Sequence, residues 1–161
     1  MRVIRTGGKY SIVGNSIETY DYLPVQTYLV GYSDKEGCFL IDHPNIRVTE
    51  KTYGVHNAKA TKVLTSFKAF ERSLGVILSG DKGIGKSIFA KILCERSIDQ
   101  GYPVIIVDEA VPGIARFIEE IDQTCVVLFD EFDKTFQSRR NSDTDEQAKL
   151  LSLFDGTAGG K

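Results

Sequence analysis

Two short apolar runs, "PVIIV" at Pro103 to Val107 and "CVVLF" at Cys125 to Phe129, constrain this chain most. Neither alternates polar with apolar, so neither suits a strand with one wet face. Consecutive β-branched and other apolar residues of this kind require a strand covered on both sides. Helical periodicity surrounds them. In "NAKATKVLTSFKAFERS", Ala60, Val63, Leu64, Phe67 and Phe70 recur at helical spacing, with Asn57 placed to cap the start and Gly75 to follow the end. "KSIFAKILCERSIDQG" collects Ile88, Phe89, Ile92 and Leu93 on one side. "PGIARFIEEID" repeats Ile114, Phe117, Ile118 and Ile121 at i, i+3, i+4 and i+7, and Pro112 suits its first turn. "GVILSG", Gly75 to Gly80, predicts a strand ahead of the second helix. "TDEQAKLLSLFDG" predicts a last helix, opened by a capping box of Thr144 and Gln147 and stopped at Gly156. Strands alternating with helices in this way give an α/β fold, a parallel sheet joined by crossover helices in three layers.

The first fifty residues follow a different period. "RVIR" and "YSIV" flank "TGGK", and "TYLVGYS" and "CFLIDH" flank "DKEG". Each pair reads as a hairpin, which predicts a small antiparallel β module over residues 1–50 ahead of an α/β core over 51–161. His43 and His56 stand thirteen residues apart with no Cys or acidic cluster to complete a ligand set, and both are expected at a surface or in a turn.

Composition narrows the function classes. With 42% hydrophobic and 26% charged residues the chain reads as an ordinary globular protein, and a net charge of -2 gives no basic footprint for nucleic acid. No apolar run approaches the roughly 20 residues that span a bilayer, and "MRVIRTGGKY" lacks a signal peptide's apolar stretch, so a cytoplasmic location without membrane contact is expected. Cys38, Cys94 and Cys125 are odd in number and far apart, which suits small buried hydrophobes better than disulfides or a zinc site.

The chemistry concentrates at two places. "GDKGIGKS", Gly80 to Ser87, follows a predicted strand and opens a predicted helix. Gly80, Gly83 and Gly85 let backbone N–H groups turn inward around phosphate oxygens, and a helix beginning at Lys86 adds the positive end of its dipole. Lys86 is placed to reach the β- and γ-phosphates and the Ser87 hydroxyl to ligate Mg²⁺. A glycine-rich turn carrying an exposed lysine is the plainer alternative. The second place is "CVVLFDE". A buried strand ending in two acids delivers Asp130 to the carboxyl edge of a parallel sheet, where it would hold Mg²⁺ through water, and Glu131 beside it would act as general base on an attacking water. Two acids ending a strand at solvent would look the same in isolation; the phosphate-type loop forty-four residues upstream favours the chemical reading.

"GVILSGDKGIGKS" followed by "VVLFDEFDK" and "LLSLFDG" resembles the AAA+ ATPases, especially the virus-encoded type in which a short β-rich segment precedes the ATPase core. The resemblance spans about Thr52 to Lys161 and implies a P-loop NTPase with ATP and Mg²⁺ as cofactors. By it, the Walker A segment Gly80, Asp81, Lys82, Gly83, Ile84, Gly85, Lys86, Ser87 and Ile88 binds nucleotide, with Ser87 and Asp130 on the metal and Lys86 and Glu131 catalytic. Asp81 stands where the family usually has proline and Ile84 where it usually has threonine; neither removes a required contact, because such a loop binds mainly by backbone. Tyr53 and Gly54 occupy the place where these proteins seat adenine, although a turn with a packed ring would read alike. Asp133 matches an acid common in the family, suited as much to structural pairing or pore-side exposure as to direct catalysis. Lys134 follows it. "SRRNSDTDEQ" is a solvated loop or brings Arg139 and Arg140 to a central pore or a neighbouring subunit. "EAVPG" lacks the aromatic substrate-gripping residue often found at that point.

The resemblance further implies hydrolysis that drives remodelling of a protein or protein–nucleic acid complex in a ring-shaped homo-oligomer, in the host cytoplasm if the source is viral. A helicase loader or a non-catalytic assembly switch are the alternatives, and Glu131 argues against the switch. A further strand with a polar tip, an arginine for the next subunit and a helical lid are expected after Lys161. The core is therefore expected to be incomplete at its C-terminus, and the piece alone to bind nucleotide poorly and hydrolyse little.

Overall fold

The computed structural model describes residues 1–52, 54–70, 74–79, 85–109, 111–129 and 148. Strand β1 (Arg2–Thr6) and strand β2 (Lys9–Val13) pair antiparallel from Arg2 against Val13 to Thr6 against Lys9. Between them Gly7 and Gly8 both have positive φ, 54° and 81°. That is the two-residue turn whose twist matches the strands it joins, and only glycine enters it without strain. The predicted hairpin is present, but its strands are exposed almost throughout.

Strand β3 (Thr27–Ser33) and strand β4 (Gly37–His43) form the second predicted hairpin. They do not stack on the first. β3 pairs in parallel with strand β5 (Val104–Val107), which pairs in parallel with strand β6 (Val126–Phe129), so one mixed sheet runs β4-β3-β5-β6. The antiparallel part of the chain thus divides between a two-stranded sheet of its own and the edge of the central sheet.

β5 is the strand its apolar run required: Val104, Ile105 and Val107 are wholly buried. Burial of each such side chain stabilises by about 1.5–3 kcal/mol relative to exposure. Ile105 and Val107 meet Val30 of β3 and Ile114 and Ala115 of helix α3 (Ile114–Glu119). Alternation along the strand turns Val104 and Ile106 to the opposite face, and helix α2 (Lys86–Asp99) packs on β5 and β6. Helix α1 (Gly54–Ala69) lies outside α2, joined to it by Ala60, Phe89 and Ile92, with Val63, Ile88 and Leu93 around them.

α2 ends at Asp99, and just beyond it the N–H of Tyr102 reaches the Ser97 carbonyl (2.9 Å) and that of Gly101 reaches Ile98 (2.9 Å). This double bond pattern satisfies carbonyls the last turn leaves open. The Tyr102 ring then meets Phe67 of α1 edge to face at 5.6 Å. The segment before α1 is laid along α2 by charge: Arg47 pairs with Glu95 (3.5 Å) and Asp99 (3.6 Å), and Lys91 with Glu50. Among the described residues no helix is long and apolar enough to cross a membrane.

Four expectations need correction. Residues 74–79 form no strand; Ile77 is 87% exposed, and Val76 and Leu78 are exposed with it. An apolar run becomes a strand only when a neighbour takes its N–H and C=O groups, and no described strand does so. Asn57 does not cap α1, which starts three residues earlier at Gly54, and the helix stops at Ala69, well short of Gly75. Pro112 precedes α3 and lies outside it. Gly113 has φ 79°, a left-handed value that no helix interior takes, so the helix starts only at Ile114. Phe70, expected on the buried face of α1, is 49% exposed because the helix ends just before it. The last helix predicted, Thr144 to Gly156, lies outside the described residues except for Ala148, which is helical.

Candidate functional site

The start of α2 is where the predicted loop meets described structure. Gly85 is its N-cap, with φ 91° and ψ 15° and no side chain capping the helix. The first N–H groups of any α-helix have no carbonyl of their own helix to bind, so this end presents donors and a positive field. The Gly85 carbonyl accepts the first helical hydrogen bond, from Phe89 N at 2.9 Å. Lys86 is half-buried, Ser87 exposed, and Ile88 half-buried against the α1–α2 core, where its side chain packs while its N–H stays at the helix start.

Gly85 is bounded on its far side by α1. A Cβ there would lie 2.6 Å from His56 Nε2, closer than real Cβ atoms approach, and 3.1 Å from Cε1, a tight contact. Position 85 therefore excludes other residues twice, by its left-handed backbone and by the imidazole. His56 sits in the first turn of α1, half-buried, with Nδ1 fully buried and without a hydrogen-bond partner among the described residues. It lies in a helix and is half-buried, where a turn or a surface position was expected. Gly54, expected near adenine, opens the same turn and is exposed, with open space where a side chain would stand. The structure thus brings Gly54, His56, Gly85, Lys86, Ser87 and Ile88 onto two adjoining helix starts.

A polar clamp fixes those helices. Arg96 of α2 donates to the Asn57 carbonyl (3.0 Å), to Asn57 Oδ1 (2.8 Å) and to Thr61 Oγ1, and Asn57 Nδ2 reaches Thr52 Oγ1 at 3.3 Å. The Asn57 side chain, read from sequence as a cap, is engaged here instead. Helical spacing foretold the apolar seam between α1 and α2 but gave no sign of this clamp or of His56 on Gly85, both of which join residues 29 or more positions apart.

Tyr53, Gly80, Asp81, Lys82, Gly83, Ile84, Asp130 and Glu131 lie outside the described residues, as do Asp133, Lys134, Arg139 and Arg140. β6 is described up to Phe129, the residue before Asp130, and Phe129 is level with Val107 of β5. Among the described residues no three His, Cys, Asp or Glu side chains are placed to hold a metal ion.

The family model for novel STAND NTPase 3 matches residues 59–158, more than half of the chain, from within α1 past both motifs. The chain belongs to this family. No curated protein and no solved structure matches it. Membership in a STAND NTPase family associates the chain with a nucleoside triphosphate as ligand and, in general terms, with its hydrolysis. The expected family was the virus-type AAA+ ATPases; the family found keeps the NTPase reading and replaces the more specific attribution. In this STAND NTPase the α/β expectation is met by a mixed sheet with parallel strands and packed helices.

Proposed function

We propose that the chain binds ATP with Mg²⁺ through the loop Gly80 to Ser87 and hydrolyses it with Glu131 as general base. The observation that carries this reading is that one NTPase family model spans both "GDKGIGKS" and "LFDE". The uncapped start of α2 supports it, since a helix N-terminus entered through a glycine with positive φ suits an anion. So does the path of the chain. α2 runs into β5 through a connection of four residues, and a helix so joined to a parallel strand packs antiparallel to it, which aims its first turn toward the carboxyl edge of the sheet, where β6 ends at Phe129.

The residues at hand fit these ligands. Backbone N–H groups of the loop would hold the phosphates, Lys86 would balance charge on the β- and γ-phosphates, and Ser87 and Asp130 would hold Mg²⁺. When bound, Mg²⁺ neutralises negative charge on the phosphate oxygens. Glu131 would take a proton from the attacking water and orient it in line with the bond that breaks. Tyr53 and Gly54 would border the base.

The test compares wild type, K86A and E131Q expressed from the complete coding region. K86A should lose ATP binding. E131Q should keep binding but lose turnover by about 10²–10⁴-fold, the range for a general base. Equal turnover in E131Q and wild type would remove Glu131 from the chemistry. Coupling of hydrolysis to remodelling in a ring rests on the AAA+ resemblance, and E131Q tests that as well: trapped ATP should hold a larger assembly, measured by light scattering.

A further inference from the structure

The β1–β2 hairpin takes no part in the proposed chemistry. A lone pair of strands is marginal in water and holds better when a face or an edge is covered. This one pairs with no other described strand, and its strand residues are exposed at every position except the half-buried Val13. Register and strand alternation gather Val3, Arg5, Tyr10 and Ile12 on one face. There Val3 is 55%, Tyr10 69% and Ile12 74% exposed, and the Arg5 guanidinium lies over the Tyr10 ring at 5.7 Å. Apolar side chains set among tyrosine and arginine are the composition of a protein-binding surface.

Charge indicates the occupant. Arg2, Arg5 and Lys9 give residues 1–17 a net charge of +3 with no acid, and none of the three enters an ion pair among the described residues. Residues 18–43, which include β3 and β4, carry Glu18, Asp21, Asp34, Glu36 and Asp42 against Lys35 alone, a net charge of -4. β4 is an edge of the central sheet, paired only with β3 among the described strands, and Asp34 and Glu36 in the turn before it and Asp42 near its end are exposed. On one face of β4, Phe39 and Ile41 cover Gly31, and Ile41 is left 46% exposed, so an apolar strip runs beside that edge. An edge strand offers its outward N–H and C=O groups to a further strand. Within one chain the hairpin and β4 belong to separate sheets, which leaves the match open to another copy.

We propose that the β1–β2 hairpin docks on the β4 edge of a second copy of this chain, extending its sheet by strand addition, with Arg5 and Lys9 set against Asp34, Glu36 and Asp42. Because the two surfaces differ, the contact repeats from copy to copy, head to tail. It uses no part of the ATP site and stands independently of that reading.

The experiment is sedimentation velocity over a concentration series, at low and high salt and without nucleotide, on chains expressed from the complete coding region. Wild type is compared with I12D, with the double variants R5E/K9E and D34K/E36K, and with an equimolar mixture of the two double variants. Wild type should self-associate, less so at high salt. I12D and each double variant alone should associate about tenfold more weakly or worse, because each either loses the apolar contact or sets like charges against each other. The mixture should recover most of the loss, since each variant's hairpin then finds the opposite charge on the other's β4. That recovery is what a merely structural effect of the substitutions would not give. A wild type that stays monomeric at every concentration overturns the proposal, as do double variants that associate like wild type, or a mixture no better than its components. If D34K/E36K does not fold, D42K takes its place in the mixture. Monomeric wild type that binds anionic-lipid vesicles or duplex DNA through Arg5 and Lys9 would assign the hairpin to a polyanion and overturn the proposal too. Nucleotide is left out, so none of these outcomes bears on the ATP site.

Discussion

Gly85 is the residue on which the candidate site turns. Sequence spacing marked it as a loop glycine, and the fold adds a reason that spacing could not carry, the imidazole 2.6 Å from where its Cβ would stand. G85A should therefore cost about 1–2 kcal/mol for the left-handed backbone alone, and more for the clash, in chemical denaturation, while G85A combined with H56A should recover the second part. Unchanged stability in G85A would mean that φ 91° is not required. The cysteines were expected to be small buried hydrophobes, and Cys94 is 1% exposed, its thiol pushed up by burial to about 11 from an ordinary 9. Burial raises the Cys125 thiol as well. A raised acid stays protonated in the folded chain while the unfolded chain ionises. For Cys94, stability should thus be independent of the thiol below about pH 9 and fall between about pH 9 and 11, at up to ~1.4 kcal/mol per pH unit, and Cys125 should act in the same direction. Urea titrations of wild type and C94A across that window check the slope, which should be shallower in the variant. Lys86 and Ser87 were legible because a loop motif names its own residues; His56 was not, because nothing local distinguishes a histidine that touches a glycine 29 positions away.

Among the elements, helices were easier to read than their ends. Apolar periodicity located α1 and α2 and the residues joining them, Ala60, Phe89 and Ile92. It misjudged the start of α1, because a polar residue ahead of an apolar stripe looks like a cap whether its side chain is used locally or, as with Asn57, by a partner on another helix. Arg96 supplies that partner. R96M keeps the length of the side chain and removes three donated hydrogen bonds, so it should destabilise the chain by about 2–3 kcal/mol in urea or guanidinium titration. A change below about 0.5 kcal/mol would show the clamp to be ornamental. α3 is the shortest of the described helices, and the backbone at Gly113 cuts off the turn that the pattern implied.

For the whole molecule, the central sheet distributes stability unevenly. The β1–β2 hairpin pairs only within itself and is exposed, whereas β3 is hydrogen-bonded between β4 and β5 and places Val30 in the core beside Ile105 and Ile114. Removing residues 1–16 should cost less than about 1 kcal/mol in thermal or chemical melts, while V30D should abolish cooperative unfolding by burying an unpaired charge in that core. Equal losses from the two changes would contradict this division. Composition, periodicity and turn chemistry settled the described helices, the two hairpins and the strands at 104–107 and 126–129, the second of them half-buried where a fully covered strand was expected, because each is written in neighbouring residues. Long-range pairing settled the rest. Whether 74–79 enters a sheet, which strand β3 joins, and which side chain closes over Gly85 all depend on groups far along the chain meeting in space, and a ladder bond or a van der Waals contact exists only once both partners have arrived.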